Sequence, residues 1–499
     1  MKLTELTGVG VSAPNGHSPD DPDIVGLTAD SRAVRRGFLF AALPGLRLDG
    51  RRFADDAVTR GAAAILTDDA ALLNLSPEAR KGIAIVLDGN SRRRLALLAS
   101  RFYGAQPQTI AAVTGTNGKT SVAHFTREIW SATGSAAASL GTLGVVTSRR
   151  RYPGALTTPD PTALHEQLAA LAGQGISHLA IEASSHGLAQ FRLDGLTVKA
   201  AAFTNLTRDH LDFHESMAAY RAAKERLFTA LLEPGRPAVL NRDSAEYSRL
   251  AALCSEHSNP VIGYGADAAS ELQLVSARPR PRGQDIVLQV FGARYELFLP
   301  LLGRFQAMNA LAALGLAIAT EVPATAAIAA LAKLTGVPGR MQFVAEGEAG
   351  GGIVVDYAHT PDALATVLAA LRPHTPGRLV VLFGAGGDRD AGKRPLMGSV
   401  AVTSADRVYV TDDNPRSEDP AAIRRAILAD APGAIEIGDR RRAIETAIGE
   451  LRPGDLLVIA GKGHETGQIV GTETLPFDDA EIAREIAEQR FDMIQRARA

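Results

Sequence analysis

The stretch VTGTNGKTS at residues 113–121 is the part of the chain best suited to chemistry. Gly115 and Gly118 let the backbone curl so that several N–H groups point into one concavity, and a helix opening at Lys119 adds its positive end. Gly115, Thr116, Asn117, Gly118, Lys119, Thr120 and Ser121 are therefore expected to cradle a nucleoside triphosphate, with Lys119 on the outer phosphates and the Thr120 hydroxyl on Mg²⁺. The common G-x-x-x-x-G-K-[ST] loop has glycine where this chain has Val113, so this one is a shortened variant. Such loops serve motors, switches, kinases and ligases alike, and other residues must decide among them.

Two polar clusters follow apolar runs. HLAIEASSHG (178–187) puts Glu182 at the end of a strand, where a carboxylate suits a hard cation bridging phosphate oxygens. Ser184 and His186 come next, and polar groups gathered behind a buried strand are costly unless used. FTNLTRDHLDFH (203–214) brings Asn205, Arg208, Asp209, His210 and His214. His210 is a candidate neighbour of metal or phosphate, although for any single histidine a structural role weighs as much.

Short apolar runs at 110–113, 178–181, 200–203 and 238–240 alternate with helical patterns, which predicts an α/β fold with a mostly parallel sheet covered on both faces. The alternation weakens over 276–300, where 285–290 reads as part of an antiparallel hairpin. A second alternating block has strands at 353–355, 378–383, 407–411 and 456–460, and Gly336-Val-Pro-Gly339 punctuates the boundary before it. A smaller mixed α/β unit precedes residue 105, with strands at 63–67 and 84–87 and a helix over 92–103. Three domains follow: 1–104, 105–335 and 336–499. Chemistry in such sheets gathers at the carboxyl ends of the strands.

The chain has 499 residues, with 53 Lys+Arg against 55 Asp+Glu and a net charge of −2. That balance argues against nucleic acid or anionic lipid as the main partner. The single cysteine, Cys254, excludes an intrachain disulfide and a cysteine zinc cluster. The N-terminal residues lack the apolar run of a signal peptide, and the Ala-rich segment 307–334 is broken by Asn309, Glu321, Pro323 and Lys333 into two packed helices. A soluble, cytoplasmic, monomeric protein is the expectation.

TGTNGKT (114–120), EASSHGL (182–188), FTNLTRDHLDFH (203–214), DYAHTPD (356–362) and GGDRDAGKRPLM (386–397) together resemble the Mur ligases of peptidoglycan synthesis. The resemblance spans residues 25–470. It implies a uridine-nucleotide-binding N-terminal domain, a central P-loop-type ATPase and a C-terminal Rossmann-like domain. It also implies an ATP-dependent amide ligase acting through an acyl phosphate. Ser31 of LTADSR would contact the UDP-sugar, with the loop at Leu46-Arg47-Leu48 as a further candidate. Thr157, Thr158, Ser184, Gln190 and Arg192 match positions that hold UDP-N-acetylmuramoyl-L-alanyl-D-glutamate. Glu182, His210 and Lys224, with Lys119, match the catalytic set. Lys224 in YRAAKERLF matches a lysine carried as a carbamate, which with Thr120, Glu182 and His210 would serve Mg²⁺; read without the resemblance it is a solvated helix residue. Asn309, Arg340, Asp356 and His359 become contacts to ATP.

Members of this family differ in the amino acid they add, meso-diaminopimelate or L-lysine. The far end of the former carries a carboxylate and an ammonium, which call for a forked cation and an acid. TDDNPR (411–416) resembles the diaminopimelate-adding type, so Asp413, Asn414, Pro415 and Arg416 are expected to line that pocket with Arg389, Gly461 and Glu465. FGAGGD (383–388) is no dinucleotide fingerprint, because G-x-G-x-x-G would need glycine where Arg389 stands. The alternatives are the L-lysine-adding form and, from another class, an ATPase that couples hydrolysis to conformational work.

Overall fold

The computed structural model describes residues 1–8, 21–45, 48–154, 156–347 and 350–498; Leu46 and Arg47 of the candidate UDP-sugar loop lie outside them. The chain forms two compact units, one of Met1–Lys119, Gly134–Ile262 and Ala319–Glu321, the other of Thr120–Thr133, Gly263–Ile318 and Val322–Ala499.

In the first unit, strands Gly26–Thr28, Phe38–Ala41, Ala64–Thr67 and Ala84–Leu87 pair in chain order, all parallel. The helix Ser91–Tyr103 covers one face through Leu95, Leu98 and Ala99. Ala64–Thr67, Ala84–Leu87 and this helix match the sequence reading closely, whereas the first two strands were not among the expected ones.

The larger sheet of this unit runs Ala238–Asn241, Val198–Phe203, Thr109–Thr114, His178–Glu182, Ala137–Gly141, with every neighbour parallel. Gly144–Thr147 and Arg151–Tyr152 extend one edge antiparallel. Thr109–Thr114 is central, and later strands add on both sides of it. That arrangement is a topological switch point, where loops part and leave a crevice at the carboxyl ends. Burial is nearly complete along these strands, as expected when helices cover both faces.

The second unit contains the helix that continues from Lys119 to Ala132, the antiparallel ribbon Leu272–Arg280, Gly283–Val290, Ala293–Leu299, and the helices Arg304–Ala319 and Ala324–Leu331. Its six-stranded sheet is ordered Gln342–Glu346, Gly352–Asp356, Leu456–Ala460, Leu379–Phe383, Arg407–Val410, Ile435–Glu436, with only the first strand antiparallel. Leu456–Ala460 returns last and inserts between two earlier strands. The segments DYAHTPD, GAGGDRD, TDDNPR and AGKGHE thereby emerge side by side at one sheet end. Among the described residues, no helix is long and apolar enough to cross a membrane.

Candidate active site

The phosphate loop is braced from a neighbouring strand end. Gly115 has φ 147°, and a Cβ there would lie 1.9 Å from Thr204 Oγ1, so only glycine fits. The Thr204 hydroxyl donates to the Asn117 carbonyl at 2.6 Å, and Asn117 N–H donates to Asn205 Oδ1 at 3.0 Å. Thr116 Oγ1 lies 3.2 Å from Tyr220 Oη and accepts from Thr207 N–H at 3.0 Å. Thr204, Thr207 and Tyr220 escaped the sequence reading; the signal for the first two was the polar run directly behind a buried strand.

Lys119 Nζ donates to the carbonyls of Gly115 at 2.9 Å and Thr116 at 2.7 Å. Lys224 Nζ donates to the same Gly115 carbonyl at 2.7 Å and stands 4.3 Å from the centroid of the Tyr220 ring. Its residue is only 2% exposed, unlike the solvated helix lysine that its spacing alone suggests. Burial first, and the Lys119 charge second, pull its pKa down to about 6. The amine is thus largely neutral at physiological pH, and neutral amine is the form that captures CO₂.

Glu182 is buried, and its carboxylate accepts from Thr142 N–H at 2.7 Å and from the Thr142 hydroxyl at 3.3 Å. Thr142 also went unnoticed in the sequence; it sits in a Gly-Thr-Leu-Gly turn after a short strand. His210, at φ 51°, precedes the short helix Leu211–His214, and its ring meets His186 edge-on at 4.7 Å. His214 is buried, its Nε2 has no hydrogen-bond partner, and burial, followed by His186, pulls its pKa to about 4. The half-exposed His210 is the member of this trio best placed to offer a ring nitrogen. Among the described residues, no three His, Cys, Asp or Glu side chains converge as a metal nest. A carboxylate such as Glu182 fits a hard cation that keeps waters and phosphate oxygens in its shell. Thr120 stands in the first turn of the helix that follows the phosphate loop.

The residues expected to hold the dipeptide come together. Thr158 Oγ1 donates to the Glu182 carbonyl at 3.0 Å and lies 2.9 Å from Ser184 Oγ. Ser184 caps the helix Ser185–Ala189 through Gly187 N–H. Arg192 donates to the Thr158 carbonyl at 2.8 Å and to Gln190 Oε1 at 2.8 Å. Thr157 Oγ1 lies 3.1 Å from Thr142 Oγ1. Ser31 stands apart from these, on the turn after Gly26–Thr28 in the four-stranded sheet.

In the second unit, Asn309 Nδ2 donates to Gln306 Oε1 at 3.0 Å, and Gln306 reaches the Arg340 carbonyl at 3.4 Å. Asp356 is buried and accepts from Met341 N–H at 2.8 Å and Ala358 N–H at 2.7 Å. Burial nevertheless raises its pKa above the ordinary value. The Arg340 guanidinium lies 4.8 Å from the Tyr357 ring, and His359 and His464 flank that ring at 4.6 and 5.2 Å.

The DNPR turn lies against the Leu456–Ala460 strand end. Asn414 Nδ2 donates to Glu465 Oε2 at 2.9 Å, and Arg416 Nη1 donates to the Gly387 carbonyl at 2.8 Å. Gly461 has φ 111°, and a Cβ there would come within 2.6 Å of Asp413 Oδ2. The Pro415 carbonyl abuts Gly387, and Arg389 is exposed on the adjoining loop.

This combination of folds and side-chain clusters is that of an enzyme of the ligase class, with a glycine loop at the end of one parallel sheet and an acid-and-guanidinium cluster at the end of another. The chain belongs to the Mur ligase family. Residues 23–103 match the model "Mur ligase family, catalytic domain", 113–317 the "Mur ligase middle domain" and 339–463 the "Mur ligase, glutamate ligase domain". It is 54% identical to the UDP-N-acetylmuramoyl-L-alanyl-D-glutamate--2,6-diaminopimelate ligase of Caulobacter vibrioides, over 92% of this chain and 94% of that one. The enzyme of the same name from Bradyrhizobium diazoefficiens is also 54% identical, over 96% and 98%. A solved structure of a ligase of that name superposes with a TM-score of 0.75 at 34% identity, covering 98% of this chain and 99% of the other.

Proposed function

We infer that this chain uses ATP to join meso-diaminopimelate to UDP-N-acetylmuramoyl-L-alanyl-D-glutamate in the synthesis of a peptidoglycan precursor. The observation that carries the choice of amino acid is the DNPR turn beside Glu465, where Arg416, Asn414 and Glu465 form one hydrogen-bonded set. A fork for a carboxylate beside an acid for an ammonium suits the far end of diaminopimelate better than that of L-lysine. Relatives bearing the name of that activity cover nearly the whole chain. The four-stranded, eleven-stranded and six-stranded sheets and the three family matches support domains at 1–104, 105–335 and 336–499. Use of ATP and a nucleotide-linked substrate supports a cytoplasmic enzyme, which we take to act as a monomer.

In this reading the γ-phosphoryl group passes to the terminal carboxylate of the dipeptide. The amine of the amino acid then attacks the acyl phosphate, loses a proton, and phosphate leaves. Gly115–Thr120 N–H groups and Lys119 neutralise developing phosphate charge, while Asn309, Arg340, Asp356 and His359 serve the nucleotide. Thr157, Thr158, Ser184, Gln190 and Arg192 hold the UDP-linked dipeptide, and Ser31 contacts its UDP-sugar. Thr120, Glu182, His210 and a carbamate on Lys224 would hold Mg²⁺, which would supply further charge neutralisation when bound.

Incubation with ATP, the UDP-linked dipeptide and either diamino acid tests the assignment: diaminopimelate should be joined far faster than L-lysine, and the reverse order, or ADP release without a new amide, refutes it. Arg416→Ala should raise KM for diaminopimelate by about tenfold or more while KM for ATP stays put, as expected for loss of a charged hydrogen bond.

The Lys224 carbamate makes its own prediction. The folded amine is deprotonated above about pH 6, whereas in the unfolded chain it stays protonated towards the ordinary value of 10.5. Between those values unfolding takes up a proton, so this group's contribution to stability rises with pH across that window. Carbamate should likewise form above pH 6 and vanish below it. Activity at neutral pH should fall when CO₂ is stripped and return with bicarbonate; indifference to bicarbonate would speak against the modification.

A further inference from the structure

Lys462 is the most deeply buried cation near the amino-acid pocket, with none of its surface exposed. It follows Gly461 at the end of the Leu456–Ala460 strand. Its Nζ donates to Asn414 Oδ1 at 3.3 Å, to Glu465 Oε2 at 3.4 Å and, closely, to the Gly467 carbonyl. Three acceptors match the three donors of an ammonium.

The consequence falls on Asn414. Its side-chain oxygen faces Lys462 Nζ and the N–H of Ile469, the latter at 2.9 Å. Both partners can only donate, so the atom facing them must be the oxygen and the amide nitrogen must point to Glu465. Glu465 Oε2 then receives Asn414 Nδ2 and Lys462 Nζ together. Among the described residues Oε1 has no hydrogen-bond partner, and the Glu465 side chain is 36% exposed. One oxygen is committed inward and the other is presented outward.

We propose that Lys462 is a positioning residue that sets the donor–acceptor polarity of the amino-acid pocket, fixing Asn414 and one Glu465 oxygen so that the other oxygen meets the far-end ammonium of the incoming diamino acid. This rests on the reading of that pocket as the diaminopimelate site. Lys462 touches no substrate itself. It acts by keeping the two side chains that do so in one arrangement, which a flexible pocket would hold only part of the time.

The test compares Lys462→Met and Lys462→Gln with the wild type in steady-state ligation, and pairs Lys462→Met with Asn414→Ala. Lys462→Met should raise KM for diaminopimelate by about tenfold or more, the effect of losing charged hydrogen bonds. KM for ATP and for the UDP-linked dipeptide should not move, and the preference for diaminopimelate over L-lysine should shrink. Lys462→Gln, which keeps a donor, should lie between. The effects of Lys462→Met and Asn414→Ala on KM should overlap instead of multiplying. An equal loss of kcat with all KM values unchanged, or multiplying effects, overturns the proposal. Failure of both lysine variants to fold also counts against it, since a purely structural lysine predicts that. If the wild type joins no diaminopimelate, the functional reading falls; if it does and Lys462→Met keeps the wild-type KM, only the role of Lys462 falls.

Discussion

Lys119→Ala is expected to slow ligation by roughly 10²–10³-fold, about 3 kcal/mol of transition-state stabilisation, the scale seen when one preorganised electrostatic donor is removed. Charge builds on the transferred phosphoryl group and there is little covalent work for the protein to do, so a missing cation is felt almost undiluted. The loop itself should survive. Although Lys119 bonds the Gly115 and Thr116 carbonyls, Thr204 and Asn205 still hold Asn117, and Thr207 and Tyr220 still hold Thr116, without the lysine side chain. Thermal unfolding of the variant should therefore stay near that of the wild type while kcat collapses. Turnover within about tenfold of wild type would remove Lys119 from the mechanism.

What could be read from the sequence had local causes. The central strands announced themselves as β-branched or alanine-rich runs bounded by helices, and all four appear within one or two residues of the expected places. Ser184, Gln190 and Arg192 belong together because all three follow the strand His178–Glu182, a relation the alternating pattern implies, whereas Thr158 joins them from the segment after the edge strand Arg151–Tyr152. The edge pair Gly144–Thr147 and Arg151–Tyr152 left no comparable signal, being short and polar at its rim. Lys224 was legible only through the family resemblance, for a different reason. In YRAAKERLF it has the spacing of a surface charge, and only the approach of its helix to Gly115, far away in sequence, buries it. Lys462 is the same case: three acceptors gathered from two loops decide its role, and periodicity carries no trace of them.

Arg440 shows most sharply how such a long-range group can matter. Its guanidinium and the Asp479 carboxylate are both fully buried and joined by two hydrogen bonds of 2.8 and 2.7 Å. The pair's Coulomb attraction offsets the burial cost, and Asp479 holds the arginine pKa above its ordinary value. The same guanidinium donates to the carbonyls of Asp412 at 3.2 Å and Ala460 at 3.0 Å, the residues just before the DNPR turn and the Gly461–Lys462 turn. Arg440→Met should thus leave a carboxylate stranded in the interior and cost about 3–5 kcal/mol of stability. KM for the amino acid should rise as both turns loosen. Replacing both partners, as in Arg440→Met with Asp479→Leu, should recover most of the stability, because no charge is then left unpaired. The turns would still lack their shared donor, so the KM defect should persist in the double variant. A surface pair such as Arg294 with Glu296, whose side chains are 63% and 67% exposed, should show no comparable loss on truncation. Calorimetric unfolding set beside steady-state kinetics separates the two effects: a double variant that regains both stability and KM would mean that Arg440 is only a folding element, and a single variant as stable as wild type would mean that the pair is not buried in solution.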